Sequence, residues 1–194
     1  MKKFVPVGVS ARHAHLSQKD LEILFGKGYE LTKFKDLSQP GQYAANEKID
    51  VVSLDPKGKT ISGVRVLGPV RGETQIELVR SDAIKNKFVA PVRSSGDIEG
   101  SGGCKLVGPC GEVVIDKGVI VADRHIHFSV EDAEEYGVKD KDVVSVKVEG
   151  KKGGIMHNVL CRVSPKFALD FHIDTDDACA FELSNGDQVE IIKE

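Results

Sequence analysis

One stretch of this chain is written twice. VGVSARHAHLSQKD (Val7–Asp20) returns 112 positions later as VIVADRHIHFSVED (Val119–Asp132), with seven of fourteen residues identical. Such self-similarity means two copies of one supersecondary unit, and it limits the fold more than any composition figure. In each copy a short apolar strand runs into R-H-x-H-x-S-x-x-D, and S-x-x-D is the spacing of a capped helix start. Short helices are therefore expected at Leu21–Phe25 and Ala133–Tyr136, stopped by Gly26 and Gly137.

Fainter echoes follow. DVVS at Asp50–Ser53 resembles DVVS at Asp142–Ser145, and Thr74–Ala83 lies on Leu169–Ala178 when the Asp-Ala pairs are matched at an offset of 95. That second register sets Glu77 opposite His172. Short alternating or apolar runs read as strands at Ile49–Leu54, Gly63–Leu67, Gln75–Val79, Val113–Ile115, Val143–Val148, Asn158–Val163 and Gln188–Ile192. Arg93–Gly111 holds six glycines and reads as a loop-rich connector. The pattern predicts a mainly β chain: two small β-barrels with short helical caps, related by the internal repeat.

Composition removes several function classes. With 194 residues, 40% hydrophobic and 29% charged, the chain can bury a core without staples. No apolar run approaches the ~20 residues of a membrane span, and the N-terminus lacks a signal-peptide core, so a cytoplasmic location is expected. A net charge of -3 without a basic cluster argues against nucleic acid as a partner. Cys104, Cys110, Cys161 and Cys179 show no C-x2-C spacing and are expected to be reduced, buried and inert. No G-x-G-x-x-G follows a strand and no Walker loop is present.

Histidine carries the chemistry. Five of the six sit in the repeat or opposite its partner: His13, His15, His125, His127 and His172; His157 is expected on a surface turn. On a strand, side chains at i and i+2 share a face, so H-x-H turns two imidazoles toward one cation. Merely hydrogen-bonded histidines are the bland alternative. With Glu77 there are six ligands, too many for one catalytic zinc. Two ions fit better, one on His13/His15 and one on His125/His127/His172/Glu77, with copper or nickel open on donor type alone. Arg12, Arg124 and Arg71 are candidate anion binders, since a guanidinium grips phosphate bidentately; the bland reading is a surface ion pair.

SARHAHLS, KDLSQPGQYA (Lys35–Ala44), VRVLGPVR (Val64–Arg71), TQIELVRSDA (Thr74–Ala83), APVRSSGDIEGS (Ala90–Ser101), RHIHFS and FALDFHIDTDDA (Phe167–Ala178) together resemble the PduL-type phosphate propanoyltransferases. The resemblance runs from about Val5 to the C-terminus. It implies transfer of a short acyl group, propanoyl or acetyl, between coenzyme A and phosphate. It also implies two zinc ions, one on His13 and His15 met by the CoA thiol, the other on Glu77, His125, His127 and His172, with Arg71 as the phosphate-binding and catalytic residue. The implied architecture places residues 1–11 with 123–194 in one barrel, the first strand swapped in, and 12–122 in the other, with the active site between them. Members within microcompartments of propanediol degradation often carry an N-terminal targeting extension; the motif here begins at Ser10, which puts encapsulation in question. A homodimer is expected as the commonest oligomer.

Direct attack of phosphate on the thioester needs no enzyme nucleophile, so a ternary complex without an acyl-enzyme is expected. A two-metal hydrolase of an ester, amide or phosphate is the alternative. A cupin-like binder is suggested by His125-x-His127-x3-Glu131, but Lys19 stands at the matching position of the first copy, and Glu131 suits a first helical turn. A non-catalytic zinc-stabilised module is the last reading.

Overall fold

The computed structural model describes residues 2–192; the expected domain limits at 1 and 194 lie outside the described residues. The order of elements is β1 Lys3–Ser10, β2 His13–Ser17, α1 Gln18–Phe25, β3 Lys33–Asp36, β4 Tyr43–Ser53, β5 Thr60–Arg71, β6 Gln75–Glu77 and α2 Arg80–Asn86. Then come β7 Val92–Arg93, β8 Gly102–Val107, β9 Glu112–Ala122, β10 His125–Phe128, α3 Val130–Tyr136, β11 Val143–Val148, β12 Gly154–Val163, β13 Asp170–Asp174, α4 Thr175–Phe181 and β14 Gln188–Ile192. Among the described residues about half are in strands, and the four helices are short.

Two compact units result. A terminal unit takes the chain up to Ala11, Ser38–Pro40 and everything from Asp123 onward; a middle unit takes Arg12–Leu37 and Gly41–Ala122. The terminal unit is a closed six-stranded barrel in the order β1-β13-β10-β12-β11-β14. In the middle unit the neighbours run β4-β5-β2-β6-β9, and β8 closes the ring by pairing with both β9 and β4, while β3 and β7 are added outside. Each barrel thus uses the early strand of the opposite copy. Val7 and Gly8 of β1 pair in parallel with Phe171 and His172 of β13, whereas Val119 and Ile120 of β9 pair in parallel with Ile76 and Glu77 of β6.

Alternation along the strands separates core from chemistry. Ala14 and Leu16 of β2 are fully buried in the core of the middle unit, and Ile126 and Phe128 of β10 fill that of the terminal unit. The intervening histidines face the other way. Ser17 and Ser129 cap α1 and α3 by accepting from Asp20 N–H and Asp132 N–H, and Ser129 with Asp132 completes a capping box. Gly137 ends α3 in the left-handed region at φ 62°, the usual service of glycine there.

Three expectations need correction. Arg93–Gly111 is not all loop, because β8 lies within it. Its glycines permit close approach: a Cβ on Gly103 would lie 2.3 Å from the Ile115 carbonyl oxygen. The DVVS echo is out of register, since Ile49 pairs with Val64 as Val144 pairs with Val159, an offset of 95 rather than 92. An odd shift of three swaps strand faces, so Val51 is buried where Val143 is exposed. Finally, His157 lies on β12, not in a turn, and its Nδ1 stands 2.9 Å from Ser145 Oγ.

Candidate metal centres

β2 lies between β5 and β6, with His13 directly opposite Glu77 and His15 opposite Gln75. This register brings His13 Nε2 within 3.2 Å of His15 Nε2 and 3.4 Å of Glu77 Oε2, with His15 Nε2 3.8 Å from Glu77 Oε1. All three residues are buried. β10 repeats the arrangement between β12 and β13: His125 is opposite His172 and His127 opposite Asp170. The imidazoles of His125, His127 and His172 have centroids 4.6–5.2 Å apart. Within each group of three the ligand atoms lie within 4.8 Å of one another.

The six expected donors therefore form two sets, one per barrel. Glu77 stands with His13 and His15, and His172 occupies the repeat-equivalent place beside His125. The 95-residue register foresaw that equivalence, although the sequence reading counted Glu77 with the second set. Two imidazoles with a carboxylate, and three imidazoles, are both donor sets that zinc takes. Two of these imidazoles, His125 and His172, also have their second ring nitrogen held by an oxygen, the kind of outer contact that orients a ligating histidine. His125 Nδ1 is 2.7 Å from the Asp123 carbonyl oxygen, and His172 Nε2 is 2.9 Å from Asp170 Oδ2. The His127 ring stacks on Phe167 at 4.4 Å.

Charge states suit a cation. Burial first, then His13 and the Arg71 guanidinium, hold His15 well below its ordinary value, so at neutral pH it offers a lone pair. Burial pushes the Glu77 carboxyl up, but His13, His15 and the Ser95 hydroxyl outweigh it and hold it well below the usual carboxylate range. Arg71 ends β5, a strand that continues through Gly68 and Pro69, and it donates to Ser95 Oγ at 3.3 Å. Ser95 Oγ in turn donates to Glu77 Oε1 at 2.7 Å. Arg12 and Arg124 each meet the Asp of the Asp-Ala pair of their own barrel, Asp82 at 2.5 Å and Asp177 at 3.4 Å. Glu131 is exposed in the first turn of α3 and belongs to neither set.

Gln75, Ser95, Asp170 and Phe167 escaped the sequence reading. Gln75 and Asp170 had one signal, their shared place two residues before the third donor at the same offset of 95. Ser95 and Phe167 had none.

The sequence profile of the family described as phosphate propanoyltransferase matches residues 6–184, a span that takes in all six donors and Arg71. The chain belongs to that family. A phosphate propanoyltransferase of Thermotoga maritima is 57% identical over 188 residues, covering 96% of this chain and 88% of that protein. One from Lachnoclostridium phytofermentans is 52% identical, with coverage of 97% and 87%, and one from Clostridioides difficile is 47% identical, with 98% and 90%. No helix among the described residues of this phosphate propanoyltransferase family member is long and apolar enough to cross a membrane.

Proposed function

We propose that the protein transfers a short acyl group, propanoyl or acetyl, between coenzyme A and inorganic phosphate. The observation that carries this reading is the family match over residues 6–184. One zinc per donor set completes the proposal, with His13, His15 and Glu77 holding one ion and His125, His127 and His172 the other. Zinc bound there would supply charge that favours a thiolate over a thiol and polarises a carbonyl.

The residues of the middle unit supply the rest. Arg71 presents a guanidinium that pairs bidentately with phosphate and keeps it as an anion. Its contact with Ser95 fixes its direction. A phosphate oxygen attacks the thioester carbonyl carbon, the new C–O bond forms, the C–S bond breaks, and the electron pair leaves with sulfur. Holding phosphate in near-attack geometry replaces an enzyme nucleophile and contributes mainly through proximity. Cys104 is unsuited to that role, because burial in the core pushes its thiol up to about 12. Arg12 and Arg124 contribute positive charge at the start of the two donor strands while pairing with Asp82 and Asp177. The working enzyme is taken as a cytoplasmic homodimer.

Mixing propanoyl-CoA with enzyme in the absence of phosphate tests direct transfer. No burst of CoA is expected; a burst stoichiometric with enzyme, leaving acyl on protein, would contradict it. Continued CoA release without phosphate would instead favour the hydrolase.

A further inference from the structure

The third donor of each set is gripped from the same place, two residues back on its own strand, by chemically opposite groups. In the middle unit Gln75 Nε2 donates to Glu77 Oε1 at 2.7 Å, and Ser95 Oγ donates to the same oxygen at 2.7 Å. The Gln75 amide cannot turn over, because its Oε1 already accepts from Gly96 N–H at 2.8 Å. With Oε1 engaged twice, Oε2 is the Glu77 oxygen on the His13 side, 3.4 Å from Nε2. In the terminal unit the third donor is a histidine, and its neighbour is a carboxylate. Asp170 Oδ2 takes the Nε2 edge of His172 at 2.9 Å, which leaves Nδ1 as the ring nitrogen open to a ligand bond. Gln75 and Asp170 are both nearly fully buried, at 2% and 4% exposure, and pair with the second histidine of their H-x-H, His15 and His127.

A further difference between the copies makes room for this. Ile120 pairs with Glu77, but Gly8 stands at the matching place beside His172. A Cβ on Gly8 would lie 2.9 Å from both Asp170 carboxylate oxygens and from His172 Cδ2, so only glycine leaves the carboxylate its position. The single change within the otherwise matching V-x-V of the repeat is accounted for by the acid across from it.

We infer that Gln75 and Asp170 are repeat-related positioning residues, which choose the ligand atom of the third donor in each barrel: Oε2 of Glu77 and Nδ1 of His172. The pairing is complementary, a donor amide for the carboxylate and an acceptor carboxylate for the imidazole. It rests on the proposal that the two sets hold zinc. Outer partners of this kind typically change metal affinity by about 10–100-fold when removed.

The test is competition for zinc against a chromophoric chelator, with thermal unfolding of each metal-free protein as a control for folding. The full chain is expected to bind two zinc ions. Asp170→Ala is expected to weaken one of them by at least ~10-fold and leave the other unchanged; Gln75→Ala is expected to do the same to the other ion. Asp170→Asn, which keeps an acceptor at the same place, is expected to recover most of the loss and serves where the alanine variant does not fold. Cobalt(II) substitution adds a spectroscopic readout, since altered absorption in Asp170→Asn reports on the metal site rather than on the fold. Two zinc ions held by both alanine variants as tightly as by the unsubstituted protein would overturn the positioning role alone. A wild-type chain that binds no zinc would remove the metal reading, and the inference with it.

Discussion

Cys104 lies in the core of the middle unit, where burial pushes its thiol up to about 12, so at pH 8 only about one molecule in ~10⁴ carries a thiolate there. Cys161 is also buried, whereas Cys110 and Cys179 are exposed, contrary to the expectation that all four would be inside. Iodoacetamide at pH 8 is expected to label Cys110 and Cys179 in the folded protein and the other two only after unfolding, as read by peptide mass. Glu47 is a second single-residue case. Burial raises its carboxyl, but donors from Thr32 and Tyr29 outweigh this and hold it below its ordinary value. A carboxyl lowered in the folded state stabilises above its unfolded value and loses that contribution as pH falls through the folded one. Glu47→Gln is therefore expected to cost about 1–3 kcal/mol at pH 7, with the deficit shrinking below pH ~4, measured by urea unfolding at both. The site residues legible in the sequence were those with a pattern: two H-x-H pairs, and Glu77 against His172. Gln75 and Asp170 showed only their common offset of 95, Ser95 meets Glu77 through a contact between segments that leaves no spacing to read, and the partners of Arg12 and Arg124 lie 70 and 53 residues away.

At the level of elements, the helix signals held because capping is local. S-x-x-D placed α1 and α3 to within three residues at their starts, and Gly26 and Gly137 at their ends. Ser129→Ala removes the side-chain acceptor for Asp132 N–H and half of the capping box, so it is expected to cost about 1 kcal/mol and to lower the melting temperature by about 2–4 °C. An unchanged melt would mean that α3 is held by packing alone. A strand built from ordinary alternation, β11, was read at its true limits, and β14 at its true start. β8 was not, because glycine signals turns in sequence and here serves close backbone approach. The false DVVS echo shows the same limit: four identical residues carry no information about face when the register that matters is set by β5 and β12.

For the molecule as a whole, the repeat explains why neither copy folds into its own barrel. β1 supplies one wall of the terminal barrel, paired with β13 and β14, and β9 supplies the matching wall of the middle one. Deleting Lys3–Ser10 leaves β13 and β14 with open edges and uncovers Phe171 and Val189, so strong binding of a hydrophobic dye and loss of a sharp thermal transition are expected. A cooperative melt without dye binding would contradict that dependence. The same closure carries the two donor sets, because the strands that pair with β1 and β9 bear His172 and Glu77. The most direct measurement of the function is CoA release from propanoyl-CoA as phosphate and metal are varied. The expected result is release only with phosphate, one acyl phosphate per CoA, activity lost on full removal of metal and restored by zinc. Release without phosphate, or full activity in metal-free protein, would contradict a zinc-dependent transfer of the acyl group to phosphate.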